Sequence, residues 1–112
     1  APILVDAAGR GELLASSERA GGLPLGILED GHYEDQMFSL AAGTTLLLYT
    51  DGLIEAKNDR GGLLGVDGLI RFLGELGART PKDLLDALWE KTIRFSGEGV
   101  PDDDWTALAV RV

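Results

Sequence analysis

Apolar positions recur along this chain with two different periods. Val66, Leu69, Ile70, Leu73 and Leu76 fall three or four apart, the spacing that lines one face of a helix, and Gly77 ends the run. Leu84, Leu85, Leu88, Trp89 and Ile93 form a second stripe of this kind. It is preceded by Thr80-Pro81-Lys82-Asp83, where Thr80 caps free N–H groups, Pro81 suits the first turn and the Asp83 charge opposes the positive helix end. Two helices packed on a sheet are expected. Trp89 and Trp105 are read as part of the same core.

Elsewhere the pattern is short and strand-like. Ile3 to Asp6 and Glu12 to Ala15 flank Ala7-Ala8-Gly9-Arg10-Gly11 and read as a hairpin. Ser16 to Gly22 reads as a loop, and Leu23 to Leu28, with its proline and glycine, as a poor central strand. Tyr33 to Leu40 alternates loosely and predicts a further strand. Thr45 to Thr50 is apolar on both faces, so each side of its sheet should be covered. That strand stops at Asp51-Gly52, and Leu53 to Ala56 suits a turn of helix. Trp105 to Val112 alternates Thr106, Leu108, Val110 and Val112 against Trp105, Ala107 and Ala109, and reads as an interior strand. Strands, two helices and a returning strand make an α+β layered chain rather than repeated βαβ units.

Length, charge and composition narrow the function. At 112 residues, one domain spanning 1–112 is expected. Ten Lys and Arg against nineteen Asp and Glu give a net charge of −9, the wrong sign for gripping nucleic acid or an anionic membrane. The chain has no cysteine, which excludes disulfides, thiolate metal sites and cysteine nucleophiles. Its longest apolar runs are too short to span a bilayer. It opens on Ala1-Pro2-Ile3-Leu4-Val5 with no initiator methionine, which suggests a piece of a larger protein.

Two acidic points stand out. Asp51 directly follows one apolar strand, and Asp103 and Asp104, behind Asp102, directly precede another. If these strands are neighbours in one sheet, carboxylates 52 positions apart meet at its edge. Oxygen donors without histidine or cysteine suit hard cations such as Mg²⁺ or Mn²⁺. Gly52 lets the backbone turn and approach closely there. Each feature also has a plain reading, Asp-Gly as a turn and the acidic run as a solvated loop. Asp67 reads as the cap of the first helix. His32 sits in an exposed turn, Ser16, Ser17 and Ser96 lack a neighbouring base, and Asn58-Asp59-Arg60-Gly61 lacks the spacing of a calcium loop.

The run Leu46-Leu47-Leu48-Tyr49-Thr50-Asp51-Gly52-Leu53-Ile54-Glu55-Ala56 resembles the LLLYTDGL-x-EA signature of PPM-type metal-dependent serine/threonine phosphatases, closest to their bacterial SpoIIE-like branch. Asp103 to Val110 is similar to that family's DD-x-T strand, Gly62-Leu63-Leu64-Gly65 to its G-x-x-[FL]-G step, and Leu23 to Ile27 with Tyr33 and Glu34 to its PLG-(x)-Y-x-E region. The resemblance implies an αββα fold, a β-sandwich flanked by helices. It implies that Asp51 and Asp103 hold catalytic Mn²⁺ or Mg²⁺, with Asp104 and Gly52 supporting them. In the family, two metals activate a water that attacks phosphoserine or phosphothreonine in line. The implied partner is a phosphorylated protein such as a STAS-type anti-sigma-factor antagonist, and the implied compartment is the cytoplasm.

The family's earlier D-x-x-D and GD-x-x-G-x-G motifs find no match in residues 1–112. The chain thus resembles the C-terminal half of the catalytic domain, and these residues alone are expected to turn over poorly. The alternative function is a phosphatase-like docking module that binds a regulatory protein without hydrolysis.

Overall fold

The computed structural model describes residues 1–14, 26–33, 35–97 and 104–112. Among these residues four strands and three helices follow one another: β1 (Ile3–Val5), β2 (Gly11–Leu13), β3 (Thr45–Tyr49), α1 (Asp51–Ile54), α2 (Gly65–Leu76), α3 (Pro81–Phe95) and β4 (Ala107–Arg111). The strands form one antiparallel sheet in the order β2-β1-β3-β4. The α+β class is as expected: among the described residues, one antiparallel sheet with helices packed against it.

The β1–β2 hairpin is tied by a single aspartate. The Asp6 carboxylate accepts from the backbone N–H groups of Ala8 and Arg10, each at 2.9 Å. Gly9, at φ +90°, lets this turn press against the end of α2, where any Cβ would overlap the Gly77 backbone. No side chain larger than hydrogen fits there.

α3 begins as its sequence dictates. The Thr80 hydroxyl accepts from the Asp83 N–H at 3.3 Å, and Pro81 occupies the first helical position. α2 begins differently. Its first helical residue is Gly65, so Asp67 lies inside the first turn and makes no capping hydrogen bond. The expected cap is therefore corrected: the N-cap position belongs to Leu64, which has no capping side chain, and Asp67 contributes a negative charge near the positive end.

Helix and sheet meet in a core of Ile3, Val5, Leu47, Leu53, Leu64, Leu69, Phe72, Leu73, Leu84 and Leu88. Phe72 meets Phe95 edge-on with ring centroids 5.9 Å apart, and Lys91 lies 5.0 Å over the Phe72 ring. Lys91 also pairs with Glu75 at 2.6 Å, bridging the two helices and holding the Glu75 carboxyl below its usual range. Thr92, fully buried, satisfies its hydroxyl on the Leu88 carbonyl at 2.8 Å.

Three expectations are corrected here. Tyr33, with residues 35–40, is not a strand. β3 already has β1 on one side and β4 on the other, so the segment just before it has no free edge to join there. β4 is an edge strand rather than an interior one. Among the described residues helices cover one face of the sheet only: in the pairs Leu4↔Leu46, Leu46↔Val110 and Leu48↔Leu108 the side chains point away from the core. Leu48, Leu108 and Val110 on that face are 36%, 54% and 43% exposed. Of the poor strand expected at Leu23 to Leu28, residues 26–28 are irregular and the rest lies outside the described residues, as does the loop from Ser16 to Gly22.

Candidate metal centre

The strand that leads to Asp51 and the strand that follows Asp104 are direct neighbours. β3 and β4 pair from Thr45↔Arg111 to Tyr49↔Ala107. Their last rung lies one residue further, between Thr50 and Thr106. The Thr50 N–H donates to the Thr106 carbonyl at 3.0 Å, and the Thr106 N–H donates to the Thr50 hydroxyl at 2.9 Å.

Beyond this rung the two backbones touch. Asp51 is the first residue of α1, and Gly52 is buried against β4's approach. A Cβ on Gly52 would overlap the Asp104 carbonyl oxygen and lie 3.1 Å from both the Asp104 carbonyl carbon and the Trp105 Cβ. The glycine is thus required by contact with the second acidic segment, not only by a turn. Leu53, with no exposed surface, anchors the short helix in the core behind it.

Asp51 and Asp104 are both exposed at this end of the sheet. Burial first, then the negative charge of Asp51, hold the neighbouring Tyr49 phenol above its usual pKa of 10.0. That phenol donates to the Ala1 carbonyl at 2.8 Å, tying the start of the chain to the end of β3. Asp103, like Asp102, lies outside the described residues. Among the described residues no group of three or more His, Cys, Asp or Glu side chains converges to hold a metal ion. The acidic side chains described at this sheet end, Asp51 and Asp104, offer oxygen donors, which suit Mg²⁺ or Mn²⁺ rather than a softer cation.

The family profile of Stage II sporulation protein E (SpoIIE) matches residues 1–112. The chain belongs to the SpoIIE family. No curated protein and no solved structure matches it. SpoIIE is a PPM-type phosphatase domain family, and the signature run of this chain maps onto the structure. Residues 46–49 lie in strand β3, and Asp51 to Ile54 are helix α1. The Gly62-Leu63-Leu64-Gly65 step brings the chain back: Leu64 is buried, its N–H donates to the Ala56 carbonyl at 2.8 Å, and Gly65 opens α2.

His32 is exposed, and Asn58 merely closes a turn by accepting from the N–H groups of Arg60 and Gly62. Trp89 departs from expectation. It is 48% exposed, although its ring centroid lies 5.3 Å from that of Trp105, tilted by 43°. Sequence reasoning missed Thr50, whose hydroxyl works across the β3–β4 seam. Its signal was its position, a hydroxyl residue between an apolar strand and Asp51. Among the described residues no helix is long and apolar enough to cross a membrane.

Proposed function

We propose that this chain supplies part of a Mn²⁺- or Mg²⁺-dependent phosphoserine/phosphothreonine phosphatase site, with Asp51 and Asp103 as metal ligands. Asp104 and Gly52 support them, the first from the adjacent position and the second by letting the two loops close. The observation that carries this reading is the contact of Gly52 with the Asp104 backbone, which brings the Asp51 loop against the chain one residue from Asp103. When bound, two such ions supply a water acidic enough to lose its proton near neutral pH and positive charge against the phosphoryl oxygens. The chain's own contribution is positional. β3 and β4 hold Asp51 and Asp104 at one sheet end, and Leu53 roots α1 while Asp51 stays at the surface.

The substrate that suits this site is a phosphorylated regulatory protein, with a STAS-type anti-sigma-factor antagonist as the specific candidate in a cytoplasmic sigma-factor pathway. In the full protein, Asp51→Ala removes metal-dependent phosphatase turnover by about 100-fold or more, the equivalent of several kcal/mol of charge stabilisation. Its circular dichroism stays unchanged, since Asp51 is exposed. Retained turnover in Asp51→Ala overturns the assignment. Tight binding of the phosphoprotein by the unaltered protein without any hydrolysis replaces it with the docking module.

A further inference from the structure

At the end of β3 one backbone carbonyl is claimed twice. Thr50 and Thr106 occupy a hydrogen-bonded position of the antiparallel ladder, where each residue ordinarily donates its N–H to the other's carbonyl. Thr50 does so, donating to the Thr106 carbonyl at 3.0 Å. The reciprocal bond, however, does not go to the Thr50 carbonyl. That oxygen accepts from the Leu53 N–H at 3.1 Å, the bond that starts α1. The Thr106 N–H is received instead by the Thr50 hydroxyl, at 2.9 Å.

We infer that Thr50 is a positioning residue of the metal site, its hydroxyl standing in for its own carbonyl so that strand and helix are both completed at one residue. This rests on the reading of Asp51 and Asp103 as metal ligands. Without the hydroxyl, the Thr50 carbonyl is shared between Leu53 and Thr106, or the Thr106 N–H is released to water. In either case β4 loosens from β3 just where Asp51 leaves one strand and Trp105, Asp104 and Asp103 lead into the other. Gly52 permits the close approach of the two loops; Thr50 fastens it. Serine can take the same role because it carries the same acceptor. Valine has threonine's shape without it.

The test compares the full protein with Thr50→Val and Thr50→Ser, reading amide hydrogen exchange at Thr106 and Mn²⁺ affinity by electron paramagnetic resonance. In Thr50→Val, exchange at Thr106 quickens by about 10-fold, the loss of one ordinary hydrogen bond. Mn²⁺ binding weakens by about 10-fold, as when a residue supporting a metal ligand is removed. Thr50→Ser stays within about threefold of the unaltered protein on both counts. Thr50→Ala makes the same deletion and replaces the valine variant if that variant does not fold. Unchanged exchange at Thr106 overturns the hydroxyl's role. Quickened exchange with Mn²⁺ affinity intact overturns the positioning role and leaves Thr50 as a structural fastener. If the unaltered protein binds no Mn²⁺, the metal reading itself falls, and the exchange result still decides whether the hydroxyl closes the rung.

Discussion

Gly52 has no room for a methyl group, and that fact separates its two sequence readings. An Asp-Gly turn at the surface accepts alanine at small cost, whereas a glycine pressed on the Asp104 carbonyl does not. Gly52→Ala is therefore expected to cost about 1–3 kcal/mol, the usual penalty of overpacking, with the loss seen as a lower midpoint in urea. A variant as stable as the parent shows that the two loops do not touch. The acidic side chains were legible because an isolated carboxylate next to an apolar strand is visible in the order of residues. Thr50 was not, because a hydroxyl's partner across a sheet depends on register, and register depends on a strand 56 residues away. Asp67 failed as a cap for a local reason: the helix starts two residues before it, at Gly65.

α2 and α3 were readable almost to their ends. A helix is built from contacts three and four residues apart, so its periodicity and caps are written locally. Thr80 illustrates this, with its hydroxyl on the Asp83 N–H. Thr80→Ala is expected to lower stability by about 1 kcal/mol and the melting midpoint by roughly 4 °C, measured by thermal circular dichroism. No shift in the midpoint would mean that the cap contributes nothing to α3. Strands behaved otherwise. Tyr33 to Leu40 alternates as a strand should, yet it is irregular where described, because alternation alone supplies no partner strand, and the neighbours of β3 are β1 and β4. The hairpin of β1 and β2 was legible because its partners lie close in the chain, closed by Asp6 and Gly9.

The sheet is one-sided in its packing, and the two faces of β3 should answer mutation differently. Leu47 has no exposed surface and lies in the core, so Leu47→Ala is expected to cost about 2–5 kcal/mol. Leu48, its neighbour on the open face, should cost under about 1 kcal/mol when changed to alanine in this chain. Equal losses in denaturant unfolding would show that the second face is also packed. From residue order alone came the helices, the strand cores, the carboxylate chemistry and the family resemblance, all carried by neighbours along the chain. Which strands adjoin, which face stays open, why position 52 must be glycine and where the Thr50 hydroxyl goes were decided by the tertiary structure. Each of these depends on pairing between segments distant in the chain, which no local pattern encodes.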